Sequence, residues 1–203
     1  MPKQTEKRAR GRPASIDKTE ILEAATQAFW RLGYDGASLG ELTKATGVSR
    51  PTLYAAFGDK DALFDAALDH YAKTTGAAPA HAFAEATDIR AAVTAFLTVS
   101  AEGNTKIDAP SGCLIACCAA LTAETTPLLK TKLQKQTQEL TAFLSARFAR
   151  EVARGALSER PTPEARAVLL GDFMRAQAVR ARSGASRAEV LSELSTRVEA
   201  VLA

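Results

Sequence analysis

The sequence is poor in the residues that usually form catalytic and metal sites. It holds two histidines, one tryptophan and 6% aromatic residues in 203 positions. It has no glycine loop of the kind that binds phosphate, no nucleophile elbow and no His-rich metal pattern. The sequence therefore argues against an enzyme, and it points to no cofactor and no metal ion.

Long apolar runs are lacking as well. No stretch approaches the roughly 18 apolar residues that a membrane helix needs. The N-terminus is basic but has no apolar run behind it, unlike a secretory signal. The only cysteines, Cys113, Cys117 and Cys118, form an odd, clustered set rather than a disulfide framework, which fits a reducing compartment. We therefore expect a cytoplasmic protein with no membrane partner.

The sequence is rich in helix-forming residues. Hydrophobic residues make up 46% of it, mainly Ala and Leu, and both lose little side-chain entropy in a helix. Capping boxes at Ser38 and Ser186 mark helix starts, each with Glu three residues later. With no strand signal, the fold is predicted to be all-α with about nine helices. The predicted division is a disordered basic arm (1–14), a three-helix helix-turn-helix domain (15–60) and a helical effector-binding and dimerisation domain (61–203).

Residues 38–60, SLGELTKATGVSRPTLYAAFGDK, carry the clearest functional signal. Ser38 opens one short helix, Gly47 supplies a left-handed turn and Ser49 caps a second helix with Pro51 in its first turn. This order of helix cap, turn and second helix cap is what a helix-turn-helix needs to project its second helix into the major groove. The sequence therefore predicts that the protein binds double-stranded DNA.

Each residue of this segment has a predicted role. Arg50, Pro51 and Thr52 begin the second helix and are predicted to reach the bases, and Arg50 can pair with a guanine edge or bind a phosphate. Tyr54 and Lys60 are predicted to contact phosphates. The backbone N–H groups at Ser38 and Ser49 open helices and so also suit a phosphate. For any single Ser or Thr here, capping a helix is the competing role.

The basic arm ahead of this segment suggests a second DNA contact. Arg10-Gly11-Arg12-Pro13 matches the core of a minor-groove AT-hook, in which two arginines flank a glycine. We expect Arg10 and Arg12 to contact A·T-rich flanks of the binding site. A solubilising tail is the alternative interpretation.

The segment from about Arg12 to Tyr71 resembles the DNA-binding domain of the TetR family. The resemblance rests on GRPASID followed by ILEAATQAFWRLGYDGASLGELTKATGVSRPTLYAAFGDKDALFDAALDHY, with TLY and FGDK at the expected spacings. It implies a homodimeric, ligand-responsive transcription regulator, most often a repressor released from a palindromic operator by a small effector. A remote alternative is an architectural DNA-binding protein without an effector.

The C-terminal half carries weaker signals. Apolar stripes on the last two helices suggest the homodimer interface, with packing inside the subunit as the alternative. The effector is unknown, and the residues proposed to contact it are Phe96, Leu114, Cys117, Ala120, Phe143, Phe173 and Gln177.

The three cysteines leave two interpretations open. Cys113 and Cys117 are four residues apart and share a helix face, whereas Cys118 points elsewhere. As thiols they can sense an oxidant, an electrophile or a soft metal ion, which would make the protein a cysteine-based sensing repressor. As small hydrophobic residues they can equally be inert core.

Overall fold

The computed structural model describes residues 17–124 and 126–203, and this part of the chain is helical throughout, with no strand. The all-α prediction is confirmed, and about nine helices is close to what the structure shows. The helices are α1 (Lys18–Gly36), α2 (Leu39–Thr46), α3 (Arg50–Phe57), α4 (Lys60–Lys73), α5 (Ala78–Glu85), α6 (Ile89–Asn104), α7 (Ala120–Thr122), α8 (Pro127–Ala153), α9 (Pro163–Arg182), α10 (Arg187–Leu191) and α11 (Leu194–Leu202).

The N-terminal helices begin where the sequence places their caps. The Ser38 side chain accepts a hydrogen bond from the Glu41 N–H, and the Ser49 side chain accepts one from the Thr52 N–H. Gly47 has φ 69°, a left-handed conformation that favours glycine and lets the chain turn between α2 and α3. Leu42, Val48 and Leu53 are buried between these helices.

One hydrophobic core joins the N-terminal helices to the rest of the molecule. Phe29 and Trp30 of α1 and Phe64 of α4 belong to the same buried cluster as Leu114, which lies between α6 and α7, and Leu129 of α8. A second cluster, built around Phe83, Phe96 and Phe148, fills the space between α5, α6, α8, α9 and α11. The fourth helix therefore contacts the helix-turn-helix on one side and the C-terminal helices on the other.

The structure differs from the sequence expectation between Thr74 and Glu85. Residues 74–79, TTGAAP, are small and breaker residues whose composition favours a break in the chain, but a short 3-10 turn over Thr75–Ala77 leads directly into α5. Pro79 lies in the first turn of α5, where its missing N–H leaves no helical bond unmade. A second difference is a π-helical segment, Ile115–Ala119, which contains Cys117 and Cys118 and continues into α7.

The stripe on the last helix lies inside the subunit. Val190, Val198 and Val201 are each at most 3% exposed, so these side chains are not available to a second subunit. The predicted capping box at Ser186 and Glu189 is present, but the helix that it opens is divided into α10 and α11 near Ser192.

Candidate DNA-binding surface and effector cavity

The N-terminal end of α3 presents a polar surface to solvent. Arg50, Pro51 and Thr52 are all exposed, while Leu53, the next residue, is 2% exposed and anchors the helix to α2. Ser49 holds this end together, because its hydroxyl lies 2.9 Å from the Thr52 hydroxyl as well as capping the helix. The first turn of α3 is therefore exposed to solvent, while the other side of the helix packs against α2.

Arg50 and Tyr54 form a pair along α3. The Arg50 Nη2 donates to the Tyr54 hydroxyl at 3.3 Å, and the guanidinium carbon lies 5.2 Å from the centre of the Tyr54 ring. Both side chains are one helical turn apart and so point the same way. This arrangement places a cation and a phenol side by side along α3.

Lys60 lies beside Tyr34 rather than beside α3. Its Nζ is 4.3 Å from the centre of the Tyr34 ring, a cation–π contact. The Tyr34 hydroxyl donates to Asp61, and burial together with that carboxylate raises the pKa of Tyr34 to about 12. Tyr34 was not predicted as part of this surface, because aromatic residues at helical spacing usually indicate core.

Ser38 sits at the N-cap of α2, exposed and close to the helix-turn-helix. Ser38, Ser49, Arg50, Pro51, Thr52, Tyr54 and Lys60 are thus all carried by α2, α3 and the start of α4. The predicted arm residues, Arg10 and Arg12, lie outside the described residues. The roles of all these residues in binding DNA stay predictions.

A cavity of about 1100 Å³ lies between the N-terminal helices and the C-terminal ones. Its wall includes Trp30 from α1, Tyr71 from α4, Phe96 from α6 and Met174 from α9. The volume is slightly above the roughly 300–1,000 Å³ of typical small-molecule sites in proteins, so the cavity is large enough for such a ligand. Because α1 and α4 both contribute to the wall, a molecule in the cavity would contact the helices that carry the helix-turn-helix.

The structure separates the predicted effector residues into two groups. Phe96 and Ala120 line the cavity, and so does Cys113. Leu114 is fully buried in the N-terminal core, Phe173 packs against the second core cluster, Phe143 is 44% exposed on α8, and Cys117 is half-buried outside the wall. Gln177 is fully buried and neither of its side-chain amide atoms has a hydrogen-bond partner.

Arg182 joins α9 to the end of α1. Its guanidinium donates to the backbone oxygens of Trp30 at 2.9 Å, Arg31 at 3.2 Å and Ser111 at 3.2 Å. The Trp30 and Arg31 carbonyls precede Gly33, whose φ of 74° interrupts α1 and leaves these two oxygens without the usual helical donors. No sequence pattern indicated this contact between α9 and α1, whose residues are about 150 positions apart in the chain.

Trp30 and Gly112 make a second contact at the same place. The Trp30 indole Nε1 donates to the Gly112 backbone oxygen at 3.1 Å, and the indole packs edge-on against Tyr71 with centroids 5.0 Å apart. Gly112 has φ 78°, and a Cβ there would lie 2.8 Å from the Ala178 backbone oxygen. Trp30 therefore packs between α1 and α4 and also connects both helices to the loop before Cys113.

A lysine on α8 contacts two carboxylates on α4. The Lys132 Nζ lies 2.6 Å from an oxygen of Asp65 and 2.6 Å from an oxygen of Asp69. Despite partial burial, which favours the neutral amine, these carboxylates raise the pKa of Lys132. The middle of α4 is thus held by α8.

The cysteines occupy different environments. Cys118 is 5% exposed, with its sulfur 3.6 Å from the Trp30 backbone oxygen. Burial raises the pKa of both Cys117 and Cys118, which lowers the thiolate fraction. Cys113 is half-buried and lines the cavity, as Tyr71 does. Only Cys113 of the three is placed to meet a molecule in the cavity.

In residues 17–124 and 126–203, no group of three or more His, Cys, Asp or Glu side chains is placed to hold a metal ion. No helix in the same residues is long and apolar enough to cross a membrane.

The first turn of α3 is exposed, Leu53 packs the other side of the helix into the core, and Gly47 joins α3 to α2. This arrangement defines a helix-turn-helix DNA-binding protein. The chain is similar to known regulators of this class. The family described as bacterial regulatory proteins, tetR family, matches residues 21–67. The HTH-type transcriptional repressor ComR of Escherichia coli (strain K12) is 32% identical over 195 residues, which cover 94% of this chain and 91% of ComR.

A solved structure shows the same likeness. A cysteine-substituted TetR family transcriptional regulator, CifR, complexed with 26-bp double-strand operator DNA, has a TM-score of 0.85 and 29% identity, covering 94% of this chain and 99% of that one. The HTH-type transcriptional repressor BdcR of Escherichia coli (strain K12) matches only 36% of this chain, at 36% identity. The chain therefore belongs to the TetR family and is a DNA-binding transcriptional repressor.

Proposed function

We propose that this repressor binds a palindromic operator as a homodimer and is released when a small molecule occupies the cavity between its N-terminal and C-terminal helices. The first turn of α3 reads the bases through Arg50, Pro51 and Thr52. Tyr54, Lys60 and the N–H groups at Ser38 and Ser49 hold phosphates. Arg10 and Arg12 belong to the same proposal as contacts to A·T-rich flanks.

An apolar face on α8 and α9 supports the homodimer. Phe143 and Val168 are each 44% exposed and Val179 is 52% exposed, although all are large apolar side chains. The same faces carry small exposed residues, Ala142 and Ala146 among them. Two helices from each subunit can bury such a face as a four-helix bundle. This places the proposed interface on α8 and α9 and leaves the last helix inside the subunit.

The shared wall of the cavity is the observation that carries the proposal of release. Trp30 and Tyr71 lie in the wall on α1 and α4, and Phe96 and Met174 lie in it on α6 and α9. A ligand that fits the cavity better at one spacing of these helices shifts the population toward that spacing. Since α4 continues directly from the helix-turn-helix, the separation of the two α3 helices in a dimer changes with it.

Fluorescence anisotropy on a labelled operator duplex tests the DNA-binding part. Arg50→Ala should weaken specific binding by about 1–3 kcal/mol and relax preference at one base pair in each half-site. Arg154→Ala, which removes the same charge at the end of α8, serves as the control and should bind almost as the wild type does. Equal loss in both variants would mean that Arg50 acts only as a charge.

The position of Cys113 favours a second candidate function, repression relieved by modification of that thiol. Cys113 and Tyr71 of α4 both line the cavity, so an electrophile bound there can alkylate the Cys113 thiol and press on α4. Mass spectrometry after brief treatment with N-ethylmaleimide tests this function. Labelling of Cys113 ahead of Cys117 and Cys118, with loss of operator binding, supports it. Labelling only after unfolding rejects it.

A further inference from the structure

The cavity wall contains a buried polar atom with no partner. The Gln136 side chain lies in the wall on α8, and its Oε1 is buried without a hydrogen-bond partner. Leaving a buried acceptor unpaired costs free energy that a pairing donor restores. A ligand that brings a donor to this oxygen therefore gains from the contact.

The rest of the wall suits an apolar body. Trp30, Tyr71, Phe96, Leu133 and Met174 supply aromatic and aliphatic surface, which favours a ligand with a flat or bulky apolar part.

A second polar position lies on α6. Ser100 and Asn104 line the cavity and are each only 5% exposed, and the Asn104 Nδ2 donates to the Ser100 Oγ at 3.3 Å. These groups are neutral, as Gln136 is. The deeply buried polar side chains of the wall thus recognise hydrogen-bonding groups rather than charge.

The charged residues of the wall balance one another, since three are acidic and three are basic: Glu23, Glu102, Glu139, Lys106, Arg175 and Arg187. Several already have partners. Glu23 pairs with His70 at 2.6 Å, and Arg175 pairs with Asp172 at 2.9 Å. A ligand with a full charge would therefore meet no excess of opposite charge in the cavity wall.

We propose that the cavity binds a neutral, mainly apolar or aromatic molecule whose hydroxyl, or another uncharged donor, hydrogen-bonds to the Gln136 Oε1. The inference deepens the proposed effector function by giving the chemical class of the effector. It rests on that function only for the regulatory consequence of binding. The ligand class itself follows from the wall.

Three related probes separate the contributions of the donor and of charge. They are 4-phenylphenol, 4-methoxybiphenyl, which lacks the donor, and biphenyl-4-carboxylate, which adds a negative charge. Trp30 is the only tryptophan of the chain and lies in the cavity wall, so its fluorescence reports binding directly, and calorimetry gives an independent affinity. We expect 4-phenylphenol to bind about tenfold more tightly than either of the others, as one buried hydrogen bond allows.

A pair of variants assigns the difference to Gln136. Gln136→Met removes the acceptor at similar volume and should lower the affinity for 4-phenylphenol about tenfold, while that for 4-methoxybiphenyl stays within about twofold. Gln134→Met, at an exposed position on the same helix, is the control and should leave both affinities unchanged. Circular dichroism checks that each variant is folded.

The outcomes are distinct. Equal affinity of the wild type for the phenol and the ether, tighter binding of the carboxylate, or no saturable binding of any probe overturns the inference. A Gln136→Met variant that weakens both neutral probes equally overturns it too. If 4-phenylphenol binds as expected but leaves operator affinity unchanged, the ligand class stands and release by an effector is rejected.

Discussion

Substituting Arg182 by methionine should destabilise the protein, because this side chain joins α9 to the end of α1. The change removes donors to three backbone oxygens, those of Trp30, Arg31 and Ser111, while keeping an apolar stem of similar length. Hydrogen bonds from a charged donor contribute roughly 1.5–3 kcal/mol each when shielded from water. Only the contact at 2.9 Å to Trp30 is both short and partly buried, and the Arg182 side chain is otherwise exposed.

Counting that bond at the low end and the two exposed ones at about 0.5 kcal/mol each gives a loss of roughly 2–3 kcal/mol in the free energy of unfolding. Urea denaturation at one fixed protein concentration measures it, since the stability of a dimer depends on concentration. Arg150→Met, at an exposed position on α8, is the matched control and should change stability little. A loss below about 0.5 kcal/mol for Arg182→Met would refute the view that this contact holds the two halves together.

Three further changes test the packing and the titration of the N-terminal helices. The Gly112→Ala protein should unfold at a much lower urea concentration than the Gly155→Ala protein. Both glycines have a positive φ, at which an alanine costs about 1–2 kcal/mol. Only at position 112 does the new Cβ also meet a backbone atom, at 2.8 Å. Leu53→Ala should cost about 2–4 kcal/mol in thermal or urea melts, whereas Leu128→Ala, at an 86% exposed position, should cost little. Glu23→Gln should lower the free energy of unfolding near neutral pH, but not at a pH below the usual range of carboxylate pKa values. The Gln27 hydrogen bond, followed by His70, lowers the pKa of Glu23, so its contribution is lost as pH falls through that lowered pKa. A gap between wild type and Glu23→Gln that persists in acid melts would contradict this assignment.

Local sequence patterns predicted the helix starts well. Ser38, Ser49 and Ser186 cap helices in the structure because a cap depends only on residues within one turn. The same locality explains the difference at α5, where the composition of residues 74–79 favours a break although Pro79 in a first turn is compatible with a helix. Whether a proline ends or begins a helix depends on residues that pack against it later in the chain.

The cavity was much harder to predict than the helix-turn-helix. Phe96 and Phe173 look alike in sequence, each an apolar residue at helical spacing, yet only Phe96 lines the cavity. The rotation of each helix about its axis decides which face meets the cavity, and contacts between distant segments set that rotation. The contact between Arg182 and α1 is one such contact between distant segments. Its acceptors are backbone oxygens, which no sequence pattern identifies.

We propose that the repressor binds a specific DNA sequence through paired α3 helices, and selection from a random duplex library tests this binding mode most directly. The purified protein should enrich an inverted repeat whose half-sites lie about one helical turn, 10–10.5 bp, or a multiple of it apart. The Arg50→Ala protein should lose the preference at one position of each half-site. Enrichment of an asymmetric site, or of no sequence at all at moderate salt, would contradict a dimeric operator-binding repressor.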